Sequence, residues 1–181
     1  AYARSATAIG LAIQADQPGT YRLSERLSRS FGVWREADCG STIVFDPLFE
    51  KGISLPSPSE PSLTICRSYS PVHNIGHFRF LECTHRSPVG APSGEVALWD
   101  EIRFPFDPAL ASAPDLHTTA VAHSPEASSQ LIEERYECDS GGSLTVTIAN
   151  RTAAYSRTYC LGRWSLNSKS VKPVRKEKVN Q

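Results

Sequence analysis

Apolar and polar side chains alternate with a period of two in a series of short runs along this chain, the pattern of strands that bury one face. The clearest run lies in residues 62–83, SLTICRSYSPVHNIGHFRFLEC. Leu63 and Ile65 alternate with Thr64 and Cys66, and Phe78 and Phe80 alternate with Arg79 and Leu81. Pro71, Asn74 and Gly76 lie between them, so the stretch predicts two strands reversing about a tight turn, a central hairpin that the other strands cover. A second hairpin is predicted over residues 131–138 and 144–149. There Asp139-Ser140-Gly141-Gly142 is a strong turn signal, and Leu144, Val146 and Ile148 share one face. Residues 31–35 and 42–49 predict two strands separated by a turn at 36–40, with Pro47 placing the second at an edge or a bulge. Residues 96–102 and 155–161 predict two more. Residues 55–61 read as a Pro/Ser linker and 84–94 as a loop. Residues 105–130, rich in Pro, Ala and Ser, read as a long surface insertion with room for one short strand near 116–122.

Ahead of the strands, residues 5–15 (SATAIGLAIQA) predict a helix with Ser5 as a cap and Ile9 and Ile13 four apart. It is apolar nearly all round, so it calls for a partner, and residues 16–19 (DQPG) stop it. Residues 20–29 are polar, suiting a linker or one or two helical turns. Together these elements predict a mainly β fold, an antiparallel β-sandwich with one N-terminal helix. The division expected is 1–19 as helix and linker, 20–164 as the sandwich, and 165–181 as a basic, disordered tail.

The 181 residues suffice for one domain with a real core. A formal net charge of zero nominates neither nucleic acid nor an acidic membrane as a partner. No apolar run approaches the roughly 20 residues of a membrane helix. Cys39, Cys66, Cys83, Cys138 and Cys160 are odd in number and contain no CxxC pair, which points to free thiols in a reducing compartment, the cytoplasm. The absence of any Met points to a processed product or a fragment, and a fragment is the reading adopted.

Candidate chemistry is sparse. His73, His77, Cys83 and His85 are metal-ligand types, but His77 and Cys83 would lie about 20 Å apart along one strand at roughly 3.3 Å per residue. The HxxxH spacing also lacks the glutamate of a helical zinc protease. No GxSxG elbow, catalytic cysteine signature or glycine-rich phosphate loop is present. Asp100, Glu101 and Asp107 read as a solvated edge rather than an acid–base pair, because adjacent strand residues point to opposite faces. The basic tail lacks the interleaved aromatics of a nucleic-acid binder. Binding by strands and loops remains, with Val33, Leu63 and Ile65 as apolar strand residues near turns; a core role for these three is the alternative.

The order of motifs resembles DnaK-type (heat-shock 70 kDa) chaperones, at the join between their two domains and through the β-part of the substrate-binding domain. Residues 5–14 are similar to the last helix of that family's ATPase domain, which accounts for an apolar helix without a partner. Phe31-Gly32-Val33 stands where the family opens its sandwich with Leu-Gly-Ile. Residues 48–56 (LFEKGISLP) resemble its Leu-Ile-x-(Arg/Lys)-Asn-Thr-x-Ile-Pro. Leu63-Thr64-Ile65 matches a Val-Thr-Ile strand, and residues 76–81 (GHFRFL) match Leu-Gly-x-Phe-x-Leu. Residues 135–148 (RYECDSGGSLTVTI) resemble the Thr-Phe-Asp-Ile-Asp-x-(Asp/Asn)-Gly-Ile-x-x-Val strand pair. The wording of residues 31–35 and 73–83 is like divergent bacterial members. Residues 89–130 have no family counterpart.

The resemblance implies a chaperone-type domain that binds unfolded or extended apolar polypeptide segments between two loop arches, without catalysis in this fragment. The peptide-binding residues it implies are Val33, Arg35 and Glu36 from the first arch and Leu63, Thr64 and Ile65 from the pocket floor. It implies no cofactor in this chain, since ATP would bind the absent domain, and neither nucleic acid nor membrane as a partner. A protein-interaction or scaffold module that keeps the sandwich without the cleft is the second reading, and a hydrolase or carbohydrate-binding sandwich the third.

Overall fold

A computed structural model describes residues 10–12, 15, 24–38 and 41–162. The predicted front helix and basic tail therefore fall largely outside the described residues; Gly10–Ala12 and Ala15 are helical. The rest is mainly β. Eight strands run in chain order as β1 (Ser30–Ala37), β2 (Thr42–Phe49), β3 (Leu63–Tyr69), β4 (Ile75–Arg86), β5 (Pro92–Pro105), β6 (Ile132–Cys138), β7 (Leu144–Asn150) and β8 (Tyr155–Leu161). They form two four-stranded antiparallel sheets, ordered β2-β1-β4-β5 and β3-β6-β7-β8.

The core lies between the sheets and follows the alternation read from sequence. Burial in β6, and in β7 as far as Ile148, falls on every second residue, with Ile132, Tyr136, Cys138, Leu144, Val146 and Ile148 inward. Phe31, Val33, Phe78, Phe80, Ile102 and Phe104 face them from the other sheet. Phe80 joins the two layers, stacked on Phe31 at 5.9 Å and meeting Tyr136 edge-on at 6.2 Å. Each such ring, taken out of water, contributes roughly 1.5–3 kcal/mol.

The predicted central hairpin is corrected. Both strands form, but β3 pairs with β6 and β4 pairs with β1 and β5, in opposite sheets. Residues 70–74 cross from one layer to the other. Alternation specifies which face a strand buries, and both strands bury theirs in the same core; it does not specify the neighbour. Gly76 is a strand residue rather than a turn residue: a Cβ there would lie 2.3 Å from the Phe106 ring.

Residues 84–94 are likewise not a free loop. β4 runs on to Arg86 and β5 starts at Pro92, closed by a turn in which Ser87 and Ala91 are hydrogen-bonded. A bulge opposite Phe80 and Leu81 gives β5 one extra residue. The pleat changes phase there, so Trp99 packs on Phe31 at 5.0 Å while Val96 and Leu98 turn outward. Pro47 sits on β2, an edge strand, at a bulge opposite Phe31 and Gly32, as predicted.

Residues 106–130 hold no strand. They carry a 3-10 turn at Pro108–Leu110, capped by Asp107, and a one-turn helix α1 (Pro125–Ser128), capped by Ser124. The segment is structural rather than peripheral: Phe106, Leu116 and Ala127 are buried. Residues 120–124 also clamp the β3–β4 crossing. The Asn74 side chain donates to the Ala120 carbonyl and accepts from the Ala122 amide, the backbone amide of Ser124 donates to the Val72 carbonyl, and His73 and His123 form an isolated bridge.

Candidate functional site: a cleft floored by an ion-pair ladder

The inward face of β1 reads Phe31, Val33, Arg35. The apolar core ends at the third of these, and the neighbouring strands change character at the same level. On β6, Glu134 occupies an inward position between Ile132 and Tyr136 and has no exposed surface. On β3, the sequence of partly buried positions runs Leu63, Ile65, Arg67, Tyr69. On β2, Asp46 stands opposite Val33.

These residues form one ladder across the sandwich. Arg35 donates from Nη1 and Nη2 to the two carboxylate oxygens of Glu134, at 3.0 and 2.6 Å, and from Nε to Asp46 Oδ2 at 2.6 Å. Arg67 donates from Nε and Nη2 to Asp46 Oδ2 and Oδ1, both at 3.0 Å. The hydroxyls of Tyr69 and Tyr136 donate to Glu134, and the Tyr69 ring lies 6.0 Å beneath the Arg35 guanidinium. Burying one carboxylate alone would cost several kcal/mol; a bidentate guanidinium and two phenols offset that.

The electrostatics follow the geometry. Burial works to lower the Arg35 pKa, but the hydrogen bonds and charge of Glu134 prevail and the guanidinium is held charged. Burial works to raise the Asp46 pKa, and the hydrogen bonds from Arg67 and Arg35 overcome it, holding the carboxyl below its usual range. Burial, reinforced by the Glu134 charge, pushes the phenols of Tyr69 and Tyr136 well above their ordinary value.

Above the ladder opens a cleft of about 740 Å³, between the β1–β2 end of one sheet and the β3–β4 crossing. That volume is within the range of small-ligand and side-chain pockets. Trp34, Ile43, Ile75, Phe78, Phe106 and Val121 supply apolar lining, and Arg35, Arg67 and Arg79 with Glu36, Asp38 and Asp46 the charged part. Across it, Glu36 of β1 bonds His73 of the crossing (Oε2 to Nδ1, 2.7 Å), and the His73 ring packs on His123 with centroids 4.4 Å apart.

Of the six residues implied as peptide-binding, Arg35 and Glu36 line this cleft. Val33 is fully buried in the core, and Leu63 and Ile65 are partly buried against it. Thr64 is exposed on the outer side of β3. None of these four belongs to the cleft lining. Sequence reading missed Asp46, Arg67, Tyr69, Glu134 and Tyr136. Their signal was present: Arg67 shares the parity of Leu63 and Ile65, and Glu134 that of Ile132 and Tyr136, so each is a charge written in the buried phase of a strand.

The other candidate groups are distributed over the fold. His77 Nε2 bonds Glu101 at 2.7 Å, His85 bonds the Thr84 hydroxyl, and Cys83 is buried. Asp107 caps the 3-10 turn and accepts from the Ser124 hydroxyl. Among the described residues, no three of His, Cys, Asp and Glu are grouped so as to hold a metal ion, and no helix is long and apolar enough to cross a membrane. No model of a known protein family matches the chain, and a search of curated proteins finds no relative for it.

Proposed function

We propose that this chain binds extended apolar polypeptide segments, in the manner of the substrate-binding β-domain of DnaK-type chaperones, in the cytoplasm and without a catalytic step or cofactor of its own. The observation that carries this reading is the cleft between the β1–β2 end and the β3–β4 crossing, two arches at one end of a two-sheet sandwich. The apolar contacts are assigned to Trp34, Ile43, Ile75 and Phe78 rather than to Val33, Leu63 and Ile65. The exposed edge of β2, with Ile43 58% exposed, offers backbone groups to an extended chain.

The test is fluorescence anisotropy of a labelled Leu-rich extended peptide titrated with the 181-residue chain. Saturable binding in the micromolar range is expected, competed by unlabelled apolar peptide and weakened at least tenfold by Ile43→Asp. Because Ile43 is exposed, that substitution leaves the core intact. No binding by a folded chain would overturn the peptide reading. It would favour an interaction or scaffold module, for which the complete burial of Val33 where a groove was expected is the supporting observation.

A further inference from the structure

Where the cleft opens, the first sheet is split. β1 and β4 are paired from Ser30–Cys83 to Trp34–Arg79 and no further. Beyond that point β1 is paired with β2 alone, as far as Ala37–Thr42, and β4 with β5 alone, back to Ile75–Pro105. Both banks of the split line the cleft, Glu36 and Ala37 on one side and Ile75, Gly76, His77 and Phe78 on the other. The two banks are held differently. The β4 bank is braced from outside, by Asn74 on Ala120 and Ala122 and by the Ser124 amide on the Val72 carbonyl. The β1 bank is pinned through Arg35 to Glu134 in the floor. Past Arg35 it is paired only with β2, itself an edge strand. Among the described residues, one side-chain hydrogen bond joins residues 36–38 and 41–45 to residues 70–78, that of Glu36 Oε2 with His73 Nδ1 at 2.7 Å. It stands on the solvent side of the cleft: the Glu36 side chain is 50% exposed, whereas Glu134 beneath has no exposed surface.

From this we infer that the Glu36–His73 bond is a latch on the cleft: it ties the β1–β2 end to the crossing, and a peptide enters when it opens. A hydrogen bond between partly exposed groups is weak and opens readily, which suits a latch rather than a structural tie. The buried Arg35–Glu134 pair below it is costly to break, so the opening is confined to the strand end beyond Arg35. His73 keeps its packing on His123 in the open form, since both belong to the braced bank. The inference rests on the proposed peptide-binding function for the identity of the ligand, and adds the control of access to the same site.

The experiment compares the whole chain with Glu36→Ala, which removes the latch, and Glu36→Gln, which keeps an acceptor for His73. The first readout is amide hydrogen exchange without ligand. Glu36→Ala is expected to speed exchange about two- to fivefold among residues 36–37 and 75–78, the factor by which a partly exposed pair holds its closed state, while the amides of β6 and β7 stay unchanged. Glu36→Gln should lie between the two. The second readout is stopped-flow anisotropy with the labelled Leu-rich peptide, where Glu36→Ala should raise the association rate constant by a similar factor. Loss of a direct contact between Glu36 and the peptide would instead raise the dissociation rate alone. Local exchange and association rate both unaltered in Glu36→Ala, a change in dissociation only, or exchange accelerated equally in β6 and β7 overturns the latch while leaving the cleft as a peptide site. Accelerated local exchange in a chain that binds no peptide, with or without Glu36, keeps the latch and overturns the peptide-binding function.

Discussion

Glu134 is the residue on which two sheets depend. It belongs to β6, yet its partners come from β1 and β3 as well as from its own strand. An ion pair this deep adds little net stability relative to a well-packed apolar substitute, but breaking it leaves an uncompensated charge. Glu134→Ala should therefore cost about 3–5 kcal/mol, since Arg35 remains buried with only Asp46 as a charged partner. Urea unfolding of the two proteins at neutral pH reads the difference directly; a loss under about 1 kcal/mol would mean that Arg35 swings out to solvent instead. At this scale the sequence was half legible. Parity marks Arg67 and Glu134 as inward charges, but parity cannot say that two inward charges on strands distant in sequence meet.

At the scale of elements, strands were legible and partners were not. The second hairpin, β6 to β7, forms about its predicted Asp-Ser-Gly-Gly turn, with Asp139 accepting from Gly141 and Ser143 and Gly142 at a φ of +76° that favours glycine. Between β3 and β4 the connection, residues 70–74, is as long as the 139–143 turn, yet it crosses layers, because the arch is held from outside by residues 120–124 through Asn74. Nothing local to residues 70–76 encodes that clamp. Gly76 illustrates the same dependence, since its lack of a side chain is required by Phe106, thirty positions on. Gly76→Ala should destabilise the chain by about 1–3 kcal/mol through forced repacking of the Phe106 and Phe78 rings, measured as a lowered urea midpoint at unchanged slope. An unchanged midpoint would show that the rings yield without cost.

For the whole molecule, the ladder makes stability depend on pH in both directions. Asp46 has a folded pKa below its unfolded value of about 3.9, so its contribution is present above that pH and is lost as pH falls through the folded value. Tyr69 and Tyr136 have folded pKa values raised above the unfolded value of about 10. Their contribution is present below pH 10 and is lost as pH rises through the folded values. Unfolding free energy should form a plateau between roughly pH 5 and 9 and decline on either side. Urea titrations across pH 3–11 test this. Asp46→Asn should flatten the acid limb and Tyr69→Phe the alkaline limb; limbs that persist unaltered in these variants would assign the pH dependence to other groups.

By itself the sequence determined the number and phase of most strands, the hairpin at Asp139, the edge position of Pro47 and the mainly β class, because alternation and turn chemistry are local properties of the chain. Tertiary structure alone decided that β3 and β4 lie in opposite sheets, that residues 106–130 brace the crossing, and that the cleft opens over Arg35 rather than beside Val33. Those outcomes depend on contacts between residues far apart in the chain, chiefly Arg35 with Glu134 and Asn74 with Ala122. The free energy of such contacts depends on distances that no single strand records.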